Sequence, residues 1–218
     1  MPRIVRLYGT ARNLRFTPPG EPGVEVWCAN GPRTVSARLK RDVTEEWTRW
    51  FNLHSKAHIL GTYPVGWHFY QHLAAGRPVY MLKAHEELPT SVAFPGPAIQ
   101  QTFAVNGKPI RYFTCSVCWL IAFAIFEGFE RIELWGFELR DTKPGSAFEW
   151  ERPCFAYWVQ RARDHGIDVT YQAEIAKLYE EGKMVPGDPS AYEGTLYGYS
   201  TKPEPDWDIA TEDWITRN

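Results

Sequence analysis

No sign of charge dominates this chain: 24 Lys and Arg stand against 26 Asp and Glu, a formal net charge of −2 with a pI near 6.3. Without a basic field there is no sequence-independent attraction for nucleic acid, so any contact with DNA or RNA must come from a local patch. Cysteine is scarce as well. The four residues show no framework of paired spacings, and with no signal peptide visible this points to a reducing cytosol. Long apolar runs are missing too: the most apolar stretch, Val117 to Phe126, is closed by Glu127 and is too short to span a bilayer. Internal repeats, a G-x-G-x-x-G turn and a Walker loop are all absent. "CSVC" at 115–118 has redox-motif spacing but no second pair to complete a zinc site, so these residues are read as small buried hydrophobes. "HFYQH" puts His68 and His72 four apart but lacks the Glu of a zincin motif, and a packing or surface role is assigned to both. No metal ligands are expected.

Aromatic residues are abundant, at 15% of the chain with ten Trp, which excludes disorder for the main body. A chain of 218 residues suits one domain better than two. The aromatic complement fits a base-stacking platform and a homo-oligomer interface equally well.

Runs rich in β-branched and aromatic residues recur along the chain. "RIVRLYG" (3–9), "VEVWCAN" (24–30), "RWFNLH" (49–54), "RPVYML" (77–82), "IRYF" (110–113), "RIELWGF" (131–137) and "IDVTY" (167–171) read as strands. Segments of helix length separate them. Residues 31–47 form a charged, helical surface, 63–76 a helix stopped by Gly76, Thr114 to Gly128 a helix apolar on every face, and 151–166 a helix with Pro153 in its first turn. This alternation predicts an α/β fold: a Rossmann-like, mostly parallel sheet with helices on both faces, over residues 1–181. Residues 140–152 are expected to form a lid, and 182–218, rich in Pro, Gly and Tyr, an extended tail wrapping the surface.

Ligands of such sheets bind outside the carboxyl ends of the strands. Those ends gather Gly9, Thr10, Asn30, His54, Lys83 with His85, Thr114 with Ser116, and Glu138. Thr114 and Ser116 lie where the first free amides of the apolar helix point outward, which suits an anion; alternatively Thr114 only caps the helix. Gly9 either opens a ligand turn or merely permits a positive φ. The polar loop "ELRDTKPGSAFEWER" (138–152) returns Glu149, Glu151 and Arg152 to a helix start. Glu149 is the expected proton acceptor and Arg152 the expected phosphate clamp, with His54 and His85 as the alternative catalytic groups. Ordinary dipole complementarity explains an acidic helix start equally well.

The run "YFTCSVCWLIAFAIFEGFERIELWGFEL" (112–139) resembles the pattern T-S-x-x-x-M-x-x-x-A-I-x-x-G-(Y/F)-x-x-I-x-L-x-G-x-D of bacterial sialyltransferases that use CMP-sialic acid. The related 6-hydroxymethylpterin pyrophosphokinase-like proteins share that pattern. The likeness extends to "YGTARNL" and "WCANGPRT", and the whole is similar to small proteins of tailed phages. The resemblance implies nucleotide contacts from Gly9, Thr10, Asn13, Asn30, Thr114 and Ser116, with Glu138 in the place of the family's acidic residue. It also departs from the pattern: the turn lacks a second Gly, the Pro and the Ser, and Cys115 stands where the Ser follows the Thr. The His-containing segment that supplies the sialyltransferase base is missing, so sialic acid transfer is not implied.

Three functions follow as expectations. The first is a transferase, specifically a glycosyltransferase, that takes a nucleotide or nucleotide sugar as donor and, in a phage setting, a modified nucleotide or nucleic acid as acceptor. The second is a pyrophosphokinase-like enzyme acting on a nucleoside triphosphate with Mg2+. The third is a non-catalytic nucleotide binder of the phage counter-defence type. No membrane partner is expected for any of them.

Overall fold

The computed structural model describes residues 2–29, 35, 39–41, 46–56, 59–60, 67, 70–71, 76–140 and 147–193. Asn30, His68, His72 and most of the expected helices over 31–47 and 63–76 lie outside the described residues, as do 141–146 of the lid and 194–218 of the tail.

Among the described residues seven strands form one all-parallel sheet: β1 (Ile4–Tyr8), β2 (Val24–Ala29), β3 (Arg49–Asn52), β4 (Val79–Met81), β5 (Ser91–Ala93), β6 (Arg131–Trp135) and β7 (Asp168–Tyr171). Their spatial order is β5-β4-β3-β2-β1-β6-β7. The chain therefore runs outward from β1 in one direction, then returns to place β6 on its other side, which makes the β1–β6 seam the switch point of the sheet. Strand periodicity explains the two cores. Val5 and Leu7 of β1, Trp27 and Ala29 of β2 and Phe51 of β3 join one apolar cluster. The alternating residues Tyr8, Val26, Cys28, Trp50, Val79 and Met81 join a second with Leu14, Val35, Leu39, Trp47, Ile59, Trp67 and Tyr70.

The first core holds the four described helices, α1 (Gly96–Thr102), α2 (Ser116–Phe126), α3 (Ala147–Asp164) and α4 (Ala173–Glu180). Every residue of α2 from Ser116 to Ile125 is buried, as its uniformly apolar sequence requires. Phe113 fixes how the chain enters this helix: its ring is stacked on Trp119 of α2 and on Trp158 of α3, with centroids 3.4 Å and 4.8 Å away. Among the described residues no helix is long and apolar enough to cross a membrane.

Several expectations are corrected. "IRYF" is not a strand; the strand that follows β4 is β5, at one edge of the sheet. Ile110, Tyr112 and Phe113 are buried in the first core, where Tyr112 O accepts from Trp158 Nε1 at 2.8 Å and from Cys154 Sγ at 3.3 Å, so side chains satisfy a carbonyl that a sheet ladder would have. β3 stops at Asn52, short of His54, and α2 starts at Ser116, two residues after Thr114. α3 begins at Ala147, four residues before Glu151, which puts Pro153 inside the helix and makes 147–152 its first turns rather than part of a loop lid. Helices α1 and α4 were not expected. Residues 183–188 carry neither helix nor strand, a 3₁₀ turn follows at Pro189–Ala191, and the segment docks through Met184 and Tyr192 on the first core.

One charge is buried in the middle of the sheet. Arg6 is 2% exposed, and its guanidinium meets Glu133 and Glu21 at 2.7 Å each and the Pro19 carbonyl at 3.0 Å. Such a charge is tolerated only when paired and hydrogen-bonded, and here the pairing also ties the 18–21 loop to β1 and β6.

The seam itself leaves no room for a side chain. Gly9 N donates to Trp135 O at 2.8 Å and Ala11 N to Gly136 O at 2.9 Å, which carries the β1–β6 pairing past the strand ends. A Cβ on Gly9 would meet the Gly136 carbonyl and lie 2.7 Å from the Phe137 ring. Gly9→Ala is therefore expected to cost about 1–3 kcal/mol in urea unfolding through overpacking. Gly20→Ala, whose Cβ meets only Glu46 at 3.6 Å, should stay within about 0.5 kcal/mol of wild type. Equal stabilities for the two variants would show that the seam can open.

Candidate functional site

A cavity of about 440 Å³ opens at the carboxyl ends of β1 and β6. Its wall comes from four places: Gly9, Thr10, Ala11 and Arg12 after β1, Gly136 to Arg140 after β6, Cys115 to Val117 at the start of α2, and Phe148 with Glu151 on α3. Ala29 at the end of β2 completes it. The volume lies in the range of small-molecule and cofactor sites.

Backbone conformation shapes the floor. Gly136 has φ 76° and a Cβ there would strike Leu14, so glycine is required both sterically and conformationally. Its N–H donates to Gln172 Oε1 at 2.8 Å, while Gln172 Nε2 donates to Asn13 O at 2.8 Å, which clamps the turns after β1 and β6 together. Leu139 holds φ 46°, an uncommon conformation for a branched side chain that functional sites often retain. Its carbonyl accepts from Arg152 Nε at 2.9 Å.

Cys115 occupies the N-cap position of α2, and its side chain makes no capping hydrogen bond. The capping alternative for Thr114 is thereby corrected, because Thr114 is buried and its hydroxyl donates instead to Trp150 O at 3.4 Å. The positive end of the helix dipole opens on the cavity through Cys115, Ser116 and Val117.

Glu151 is the chemically distinctive group. It is 6% exposed, and no hydrogen bond or ion pair to it is found among the described residues. Burial pushes its carboxyl up to about 7. A carboxyl in that state exchanges protons readily near neutral pH. Arg12 and Arg140 bring positive charge to the same wall, and Glu138 brings a carboxylate.

Of the residues expected from sequence, the cavity brings together Gly9, Thr10, Ser116 and Glu138. Asn13 is buried beneath it, donating through Nδ2 to Glu174 Oε2 at 3.1 Å and Phe137 O at 3.5 Å, and does not line it. Thr114 stands behind the helix start. Glu149 is exposed and off the wall, and Arg152 holds the Leu139 loop rather than facing the cavity. His54 and His85 follow β3 and β4, two and three strands from β1, or roughly 10 and 14 Å at the usual strand spacing. His85 packs edge-on against Trp67, and burial pushes its pKa down.

Sequence reasoning chose Glu149 over Glu151 because it started the helix at the wrong residue. With α3 running from Ala147, Phe148, Glu151, Phe155 and Trp158 share one inward face, and the single carboxyl among aromatic neighbours is the anomaly to look for. Arg12, Arg140 and Phe148 were missed because nothing local marks a loop residue as facing a distant strand end.

Compared with protein-family models, with curated proteins and with solved structures, the chain matches none.

The raised Glu151 pKa fixes a pH dependence. The folded state holds this proton more tightly than the unfolded chain, so stability is full below about pH 4.5, falls as pH rises towards 7, and levels off above it. Over that window the loss is on the order of 3 kcal/mol. Glu151→Gln is expected to match wild type at pH 4.5 and to exceed it by up to that amount at pH 8. Urea denaturation at the two pH values reads this directly, and a constant offset between the proteins would mean that Glu151 is not buried as a neutral acid.

Proposed function

We propose that the protein is a transferase acting on a nucleotide-activated donor, with a nucleotide sugar as the donor class and Glu151 as the group that exchanges a proton with the acceptor. The observation that carries this reading is the meeting, in one cavity, of a helix N-terminus and a buried carboxyl whose pKa lies near 7. Phosphate oxygens suit the first turn of α2, where the positive end of the helix dipole favours negative charge. Arg12 and Arg140 add charge-assisted donors at the rim. Glu138 suits a sugar or ribose hydroxyl.

In this scheme the acceptor hydroxyl loses its proton to the ionised Glu151 as it attacks the activated carbon. The bond from that carbon to the nucleotide's phosphate oxygen breaks, and the leaving phosphate takes the electron pair and rests against α2. Since Glu151 is about half protonated near pH 7, a donor phosphate enters without meeting a full negative charge. A modified nucleotide or a nucleic acid, as in a phage setting, is the acceptor class proposed. With a net charge of −2, recognition of it rests on the cavity rim rather than on a general field.

The test has two arms. A thermal-shift panel of nucleoside mono- and diphosphates and nucleotide sugars should show at least one ligand that adds about 2–4 kcal/mol of apparent stability at saturating concentration. Arg140→Ala should weaken that ligand about tenfold or more. Once turnover is assayed, Glu151→Gln should lower kcat by roughly 10²-fold with little change in binding. Tight binding without turnover of any donor would move the reading to a nucleotide-binding protein, and silence across the panel would remove it.

A further inference from the structure

Two thiols sit against each other at the cavity wall. Cys115 Sγ and Cys118 Sγ are 3.2 Å apart, close enough for a thiol hydrogen bond, with Cys115 at the N-cap of α2 and Cys118 one turn on. Both are free thiols, as are Cys28 and Cys154. Cys115 is a lining residue of the cavity although it is 3% exposed, whereas Cys118 does not line it and is fully buried. Positions three apart at a helix start share one side, and the two sulfurs need to approach by only about 1 Å more to reach bonding distance.

We propose that Cys115 and Cys118 form a redox-sensitive pair that closes to a disulfide when a small peroxide enters the cavity. The inference stands independently of the transferase reading. Cys115 attacks first: its thiolate takes one peroxide oxygen, the O–O bond breaks, and the expelled hydroxide gains a proton to leave as water. The resulting sulfenic acid is then attacked by Cys118 sulfur, forming the S–S bond, breaking the S–O bond and releasing a second water that carries the Cys118 proton. Two electrons pass from the thiols to the peroxide, and a dithiol reductant returns them.

The environments of the two sulfurs assign the order. At Cys115 the hydrogen bond from Cys118 is the largest single influence and favours the thiolate, while burial together with the neighbouring Glu151 and Cys154 leaves the pKa raised. At Cys118 burial dominates and holds the thiol well above its ordinary value. Closure is consequently slow at neutral pH and speeds up with alkalinity, because the thiolate is the nucleophile.

Native protein, reduced and freed of reductant, is treated with hydrogen peroxide, alkylated under denaturing conditions and digested with trypsin without reduction. Both cysteines fall in the peptide of residues 112–131, between Arg111 and Arg131. The expected product is that peptide lighter by two hydrogens and unalkylated, restored by dithiothreitol, with Cys28 and Cys154 fully alkylated. Its rate should rise about tenfold per pH unit between 7.5 and 8.5. In Cys118→Ala, Cys115 should accumulate as a sulfenic acid that dimedone traps, with no loss of hydrogens. Alkylation of both thiols after prolonged exposure, or a cross-link joining this peptide to the one that holds Cys154, overturns the proposal.

Discussion

A helix that is apolar on every side has to be covered on every side, and α2 imposes that condition on the whole molecule. The sheet lies below it, α1 and α3 flank it, and residues 182–193 dock on the same core through Met184 and Tyr192. The ring of Phe113 between Trp119 and Trp158 then fixes the angle at which the chain enters. With its flanks closed, the helix meets the cavity through its N-terminal end, at Cys115, Ser116 and Val117. That end falls at the β1–β6 seam, where the strand order reverses and the residues that follow β1 and β6 line the cavity.

The chemistry of the cavity follows from the same burial. Glu151 sits in the row of aromatic residues that α3 turns towards the core, and removal from water is the whole cause of its raised pKa. Cys115 and Cys118, both buried at the first turn of α2, bring their sulfurs to 3.2 Å. Arg152 gives up part of its guanidinium to hold the Leu139 carbonyl, which stabilises a left-handed turn at the rim. Packing for stability thus leaves a few polar groups with altered properties around one space, which is how many sites acquire reactive side chains.

Much of the sheet was legible because strand signals are local. β1, β2, β4, β6 and β7 announce themselves by β-branched and aromatic runs closed by turns. The failures occurred where pattern and environment part. "IRYF" has strand composition, yet Ile110, Tyr112 and Phe113 are buried in the helical core, and the Ile110 and Tyr112 carbonyls accept from the side chains of Gln100, Cys154 and Trp158 rather than from a neighbouring strand. β5 is three residues long with two of them exposed, and offers no pattern to find. Pro153 was taken as a helix start because proline favours the first turn, but α3 carries it in its interior. That one displaced boundary moved the expected acid from Glu151 to Glu149.

By itself the sequence determined that the chain is an α/β protein with an apolar central helix, and that Gly9, Thr10, Ser116 and Glu138 lie at strand or helix ends. These properties depend on neighbours a few residues away, and the alternation of strand and helix leaves few topologies open. Only the tertiary structure decided which strand ends meet, because adjacency across the sheet pairs β1 with β6 over more than a hundred residues of chain. It therefore separated His54 and His85 from the cavity, moved Asn13 and Thr114 behind its wall, and placed Arg12, Arg140 and Glu151 upon it. The reason is that a proton affinity or the placing of a helix end is a property of what surrounds a group in space, and for these groups the surroundings come from distant parts of the chain.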